Sequence, residues 1–219
     1  MICFIQARMN SRRLPGKSLA LVEGKPVLSY VVNRLKKSKF IKKIVVLTST
    51  KKLDDKIVQY CKKNGVNFFR GELNNVYKRF TDAINFFKIK SFIRVTADSP
   101  NIDPNLADKL IQKFRKNSFD IVTNCKEKTF PKGQSIEVIN SNSFLKLKKL
   151  KINKKNLEHI TSYFYQNEKN FMIYSYKNKK KFRNKNLSIY NRADLLKFKN
   201  YLSKNFFSPL DWKKIYKKY

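Results

Sequence analysis

Acidic side chains are scarce in this chain: 15 Asp and Glu stand against 50 Lys and Arg, giving a formal net charge of +35 over 219 residues. Histidine is nearly absent, and a single copy excludes a metal site built on several imidazoles. Cys3, Cys61 and Cys125 are odd in number, widely spaced and without a partner motif. That pattern excludes a disulfide framework and fits three reduced thiols in a cytoplasm. Cys3 lies inside an apolar run and reads as core, not as a nucleophile. No apolar run approaches the roughly 18 residues that a membrane helix needs. The N-terminus lacks the basic-then-apolar layout of a secretory signal, because strand-like residues begin at once. A cytoplasmic protein without membrane insertion is the expectation. No pair of carboxylates is placed to suggest a dedicated acid–base couple.

The excess of basic residues has two readings. Such a balance often marks a nucleic-acid or anionic-membrane surface. Here the lysines are spread over nearly every predicted helix and loop, and Asn, Ile, Phe and Tyr are abundant too, a composition that AT-rich coding bias produces. No aromatic RNA-binding motif, zinc-finger spacing or helix-turn-helix supports a specific nucleic-acid partner. A polyanion-binding role remains the alternative.

Apolar periodicity predicts strands at 2–5, 44–47, 67–69, 92–95 and 120–122, separated by helices at 27–35, 54–63, 76–87 and 105–114. Asp103-Pro104 has the form of a helix N-cap followed by Pro at the first helical position. Strands alternating with helices of this length predict an α/β fold with a mainly parallel sheet and crossover helices. Ligands in such folds collect at the C-terminal strand ends. That rim then carries residues 8–17, 48–50, Arg70-Gly71 and Asp98. Beyond residue 124 the alternation lapses. Strands are predicted at 135–139, 171–176 and 187–190, helices at 143–149, 157–165 and 192–202, and an exposed Lys/Asn-rich loop at 177–185. One domain over 1–205 is expected, with 206–219 as a tail anchored by Trp212 and Tyr216.

The first apolar run empties into Gln6-Ala7-Arg8-Met9-Asn10-Ser11-Arg12-Arg13-Leu14-Pro15-Gly16-Lys17. A buried strand leading into a basic, Gly-containing loop suits polyphosphate: backbone N–H groups can approach the oxygens and fixed cations neutralise them. It is not a Walker loop, which needs Gly, four residues, then Gly-Lys-Ser/Thr opening a helix. A solvated basic loop is the plainer reading of the same charges.

The order of Ile5-Gln6-Ala7-Arg8, Ser11 and Arg13-Leu14-Pro15-Gly16-Lys17 resembles the nucleotide signature of the cytidylyltransferases that activate sialic, pseudaminic and Kdo-type sugar acids, most of all their spore-coat polysaccharide branch. The resemblance implies a Rossmann-like, nucleotide-diphospho-sugar transferase (GT-A-like) fold. It implies CTP held by the backbone near Ala7 with Arg8, Ser11, Arg13, Gly16 and Lys17, and catalysis resting on Lys17, Arg8 and Asp98. Phe92-Ile93-Arg94-Val95-Thr96-Ala97-Asp98-Ser99-Pro100 matches a family strand whose terminal Asp binds metal, so Asp98 is the expected Mg²⁺ ligand, although Asp-Ser-Pro is also ordinary turn chemistry. Phe69-Arg70-Gly71-Glu72 is similar to a family segment near the nucleotide, which places Arg70 there. Residues 125–180 correspond to the sugar-acid and dimerisation part. Within it, Ile136-Glu137-Val138 and Glu158-His159-Ile160-Thr161 carry the expected substrate contacts Glu137 and His159; His159 is equally read as a structural histidine. The resemblance implies CTP and an acidic sugar as partners and a homodimer as the assembly.

One departure stands out. The family usually ends its last strand with Asp-Thr-Pro-Glu-Asp-Leu, whose first Asp is a second metal carboxylate. Here Tyr190-Asn191-Arg192-Ala193-Asp194-Leu195 puts a phenol in that place. Two other readings stay open: transfer using a different nucleotide on the same scaffold, and an accessory, polyanion-binding protein with reduced or lost turnover.

Overall fold

The computed structural model describes residues 1–147, 160–182, 184–205 and 208–219. Its centre is a seven-stranded sheet in the order β5-β4-β1-β6-β8-β7-β9. The strands are β1 (Ile2–Gln6), β4 (Lys43–Ser49), β5 (Asn67–Gly71), β6 (Ser91–Thr96), β7 (Ile121–Thr123), β8 (Glu137–Asn140) and β9 (Ile173–Ser175). β2 (Leu21–Val22) and β3 (Lys25–Pro26) form a separate small hairpin.

β1 is parallel to both β4 and β6, and β4 to β5. β8 runs antiparallel to β6 and β7, and β9 returns parallel to β7. The sheet is thus mixed but mainly parallel on the side that carries the basic loop. The central strands read as continuous apolar runs because both of their faces are covered.

Alternate residues feed two cores. Cys3, Ile5, Val46, Ile93 and Val95 join one, together with Leu28, Val31 and Leu35 of α1 (Val27–Leu35), Ile57 and Cys61 of α2 (Asp55–Lys63), and Leu106 and Leu110 of α4 (Pro104–Arg115). Phe4, Val45, Leu47 and Phe92 join the other, against Val76 and Phe80 of α3 (Val76–Phe87), Phe144 of α5 (Ser141–Lys146) and Phe164 of α6 (Ser162–Gln166). The spacing of the buried positions in α1 is the i, i+3, i+4 stripe expected of a helix covering a sheet.

Helix starts obey local chemistry. The Asp103 side chain accepts from the N–H groups of Asn105 and Leu106, with Pro104 at the first helical position. Asn191 and Asp194 form a reciprocal capping box at the start of α7 (Arg192–Ser203).

The C-terminal part departs from the sequence expectation in three ways. The predicted strand 187–190 is not a strand. Leu187 N–H donates to the Lys132 carbonyl and Ile189 N–H to the Asp98 carbonyl, so the segment bridges two loops instead of joining a ladder. Second, the residues after 206 are more than an irregular tail, since α8 (Trp212–Lys218) follows an Asp211 cap. Trp212 is buried against Phe130 and Phe182, and its backbone N–H donates to Asp103 Oδ2 at 3.0 Å. Third, the predicted helix 157–165 is described only from residue 160 onward, where α6 starts at Ser162.

A third apolar cluster, including Val22, Val27, Leu187, Ile189, Phe198 and Ile215, ties the hairpin and the C-terminal helices to the 187–189 segment. In this way the end of the chain is brought back to the loop that begins it.

Candidate active site

β1 and β6 end side by side, with Gln6 level with Thr96, so the loops that follow them share one rim. Between these loops lies a cavity of 330 Å³ lined by Gln6, Arg8, Ser11, Arg12, Arg13, Lys17, Ser18, Thr96, Ala97 and Asp98. Of the residues expected at a nucleotide site, it gathers Arg8, Ser11, Arg13, Lys17 and Asp98.

The loop is shaped by its own backbone. Gly16 has φ +75°, a left-handed conformation that costs glycine little, and its N–H donates to the Met9 carbonyl at 2.8 Å. The loop root is pinned by Asp54, a buried carboxylate that accepts from Met9 N–H at 2.7 Å and from Ser49 N–H at 3.0 Å. Gly16 therefore sets the curvature and does not line the cavity. The Ala7 N–H is engaged with the Leu47 carbonyl at 3.0 Å, extending the sheet hydrogen bonding, so this donor is not available to a ligand.

Lys17 crosses the cavity. Its Nζ lies 2.5 Å from Asp98 Oδ2 and donates to the Ile189 carbonyl at 2.8 Å. Thr96 Oγ1 donates to Asp98 Oδ1 at 2.7 Å. Asp98 is thereby fixed at the strand end, facing the basic loop. Tyr190 lies next to Ile189, half exposed, and the Arg13 guanidinium stacks 3.6 Å above its ring. Tyr190 thus directly follows the residue whose backbone N–H donates to the Asp98 carbonyl, at the position that the resemblance aligns with a second metal carboxylate. Among the described residues no cluster of three or more His, Cys, Asp or Glu side chains is arranged to hold a metal. Asp98 is a single hard-oxygen ligand. It fits a divalent cation only together with phosphate oxygens and water, a set that Mg²⁺ accepts.

Arg70 is not part of this cavity. Its guanidinium donates to the Ser49 and Lys51 carbonyls and pairs with Asp55 at 2.7 Å, which braces the loop after β4. Strand order explains the difference: β5 is the edge strand, two positions removed from β1. Glu137 is likewise committed elsewhere. Its carboxylate is buried, lies 2.5 Å from Arg94 Nη1 and accepts from the Tyr165 hydroxyl at 2.5 Å. Burial opposes the charge of Arg94, but the Glu137 carboxylate outweighs it and raises the guanidinium pKa. Burial, and then Glu137, push the Tyr165 phenol well up. The other Arg94 arm donates to Gln6 Oε1 at 3.1 Å, so this buried pair orients a side chain that does line the cavity. His159 lies outside the described residues.

A second cavity, of 640 Å³, is lined by Asn124, Cys125, Lys128, Phe130, Pro131, Lys132, Gln134 and Ser135. Gln134 anchors its wall, accepting from Asp103 N–H at 3.0 Å and donating to the Asn101 carbonyl at 2.7 Å. Gly133, at φ +92°, lets this loop touch the 187–188 backbone, where an added Cβ would come within 2.6 Å of Leu187. The Lys132 ammonium lies 5.8 Å from the Tyr190 ring, so Tyr190 stands between the two cavities with a cation toward each.

Sequence reasoning passed over Gln6, Ser18 and Thr96 as lining residues, and over Lys128, while Arg12 was counted among the cations of the basic loop. For Thr96 the signal was present, since it belongs to the same strand end as Asp98. For Lys128 there was none, among 50 basic residues, whereas Lys132 falls in Phe130-Pro131-Lys132-Gly133, a run that resembles the family's sugar-acid segment.

The fold and this site together define a nucleotidyltransferase of the Rossmann-like α/β class. Residues 2–207 match the cytidylyltransferase family model, and the chain belongs to that family. It is 37% identical over 174 residues to an uncharacterized protein, MJ1063, of Methanocaldococcus jannaschii, covering 80% of this chain and 70% of that protein. It is 34% identical to the spore coat polysaccharide biosynthesis protein SpsF of Bacillus subtilis, covering 74% of this chain and 69% of the relative. A solved cytidylyltransferase from Leptospira borgpetersenii superposes with a TM-score of 0.90 at 33% identity, over 95% of this chain and 88% of that one. A CMP-2-keto-3-deoxy-manno-octonic acid synthetase solved with CTP shares the fold at a TM-score of 0.72 and 16% identity, covering 93% and 99% of the two chains.

Proposed function

We propose that this protein transfers the cytidylyl group of CTP to a hydroxyl of an acidic, ulosonic-type sugar during surface polysaccharide synthesis. The observation that carries the reading is the pairing of two adjoining cavities. One has Arg8, Arg13 and Lys17 facing Asp98; the other has Lys128 and Lys132, and Tyr190 stands between them. The first suits a triphosphate, and the second suits a substrate carrying a carboxylate. Family membership and the SpsF-like relative support the same choice.

In this reaction the sugar hydroxyl oxygen bonds to the α-phosphorus, the bond to the β-phosphate oxygen breaks, and pyrophosphate leaves with the electron pair. The hydroxyl proton passes to solvent. Such chemistry needs mainly positioning and charge neutralisation. Arg8 and Arg13 bind phosphate oxygens, Lys17 offsets the charge that develops on the leaving pyrophosphate, and Gln6 and Thr96 hold the strand ends in register. Bound at Asp98, a Mg²⁺ ion would neutralise phosphate charge and polarise the phosphorus. Residues 125–180 would supply the acceptor side and a homodimer contact, with 1–205 acting as one domain.

A thermal-shift panel with CTP, UTP, ATP and GTP, each with Mg²⁺, tests the nucleotide, since a selective ligand raises the melting temperature. Pyrophosphate release with Kdo, sialic and pseudaminic acids then tests the acceptor. CTP should give the largest shift. Equal shifts from all four nucleotides would reduce the site to a generic phosphate trap. Selective CTP binding without pyrophosphate release from any of these acids would favour the second reading, a protein with decayed turnover, to which the Tyr190 departure points.

A further inference from the structure

Gln6 ends β1, two residues beyond Phe4, and Phe4 is level with Arg94 on β6, so Gln6 and Arg94 project from the same face of the sheet. Glu137 on β8 lies directly opposite Arg94, and Thr123 on β7 directly opposite Glu137. Polar side chains from adjacent strands thus stand in a row on one face, and hydrogen bonds join them. Gln6 Oε1 accepts from Arg94 Nη2 at 3.1 Å, and Arg94 Nη1 donates to Glu137 Oε2 at 2.5 Å. The Tyr165 hydroxyl, from α6, donates to Glu137 Oε1 at 2.5 Å and lies 3.1 Å from Thr123 Oγ1.

This row fixes the polarity of the amide at its end. A guanidinium has N–H donors and no acceptor, so Gln6 turns its Oε1 toward Arg94; the flipped amide would set donor against donor. Arg94 is held by Glu137, and Glu137 by Tyr165, so the arrangement does not relax to suit a flip. The –NH₂ group is what Gln6 has left to offer the 330 Å³ cavity that it lines. The other lining groups serve different chemistry. Arg8, Arg12, Arg13 and Lys17 suit anionic oxygens, and Thr96 donates to Asp98. Ser11 and Ser18 carry rotating hydroxyls that both donate and accept, which discriminates little. Gln6 supplies an uncharged donor whose direction is set.

We propose that Gln6 is the base-selecting residue of this site: its amide N–H donates to the acceptor edge of cytosine, ring N3 beside O2, and Arg94 and Glu137 are positioning residues that keep the amide turned that way. This deepens the reading of the cavity as a CTP site and rests on it. Uracil carries a proton on N3, so a donor that cannot turn over meets a second donor there. A site that commits a fixed polar group to one partner rejects the analogue that cannot pair with it. Phosphate oxygens are better served by the loop cations, whose charge-assisted bonds are stronger than those of a neutral amide.

The test measures CTP and UTP affinities by calorimetry for wild type, Gln6→Met, Gln6→Glu and the double variant Arg94→Met with Glu137→Leu. The two nucleotides share ribose and triphosphate, so their affinity ratio reports the base. Losing the donor in Gln6→Met should weaken CTP binding about tenfold and change UTP binding less than about twofold. Pyrophosphate should bind this variant and wild type alike. Gln6→Glu keeps the shape and the Arg94 contact but presents an acceptor, and should lower the preference for CTP at least as far. The double variant leaves Gln6 in place with its amide free to turn, and should lower the preference by at least about threefold. A wild-type preference in both Gln6 variants overturns the proposal. Equal losses of CTP and UTP, or a matching loss of pyrophosphate, overturn it too, because they put the amide on ribose or phosphate. A preference unchanged in the double variant overturns the positioning roles of Arg94 and Glu137. If Gln6→Met does not fold, Gln6→Glu decides by the same ratio. A wild type that binds CTP and UTP equally defeats the reading of the cavity as a CTP site, an outcome distinct from a selective wild type whose Gln6 variants stay selective.

Discussion

Lys17 Nζ sits 2.5 Å from Asp98 Oδ2, so the lysine of the basic loop and the carboxylate at the end of β6 neutralise each other across the cavity. On the proposed reading, a triphosphate and its counter-ion exchange these partners, phosphate taking Lys17 and the cation taking Asp98. Within a cavity that also carries Arg8, Arg12 and Arg13, this one pair is self-neutralised. This relieves the cost of holding a cation and an anion half-buried and apart.

Lys17→Ala should therefore weaken CTP binding by about 1.5–3 kcal/mol, the range of a charge-assisted contact. Asp98→Asn should act differently. Releasing Lys17 should maintain or strengthen CTP binding without metal, while the gain from added Mg²⁺ disappears. Calorimetry with and without Mg²⁺ separates the two effects. Unchanged CTP affinity in the Lys17 variant would make the pair a purely structural link.

Tyr190 offers a stacking surface to Arg13 where a carboxylate would give a hard cation a second ligand. A neutral phenol is a poor Mg²⁺ ligand at neutral pH. The wild type should need high Mg²⁺ for tight CTP binding, and Tyr190→Asp should lower the Mg²⁺ concentration at half-saturation. If the wild type is already saturated at low Mg²⁺ and the Asp variant is no better, the metal role of this position is wrong.

Glu137 was expected at the sugar acid, yet it is locked between Arg94 and Tyr165. Glu137→Gln strands the Arg94 charge in the interior and should cost about 3–5 kcal/mol of stability. Replacing both partners, Arg94→Met with Glu137→Leu, should recover most of that loss. Urea unfolding gives both numbers. A stable Gln variant with a raised acceptor KM would return Glu137 to the substrate.

Burial pushes the Cys61 and Cys125 thiols up to about 12. An unfolded thiol titrates near 8.5, so above about that pH the unfolded chain has lost protons that the folded chain keeps. With fewer protons bound by the unfolded state, stability falls as pH rises from about 8.5 toward 12; below that window these thiols contribute no pH dependence. Melting temperature measured from pH 7 to 10.5 should decline in the upper half of that range. The decline should be shallower in a Cys61→Ala, Cys125→Ala variant. An identical slope would assign the pH dependence to other groups.

Much of the fold was legible because local rules and tertiary packing agree. Helices 27–35 and 76–87 appear at their expected bounds, since their apolar stripes cover the two faces of a sheet whose strands are themselves continuous apolar runs. The segment 187–190 misled for a physical reason: its alternation matches a strand, but its N–H groups reach two different loops. The basic loop was legible because its Gly, Arg and Lys follow one another closely along one stretch of chain. Arg70 and Glu137 were misplaced because similarity of sequence gives no direction to a side chain. Each found a nearer partner, Asp55 for one and Arg94 for the other.

What the amino-acid order alone determined is local and periodic: the alternating strands and helices, the capped helix starts, and a basic, Gly-containing loop at the end of the first strand. These depend on neighbours within a few residues, where steric and hydrogen-bonding rules act directly. Tertiary structure decided which distant groups meet. It brought Asp98 to Lys17 and Tyr190 to Arg13. Contacts across 60 or more positions of chain depend on strand order and helix packing, and these in turn follow from burying the two apolar faces of the sheet together.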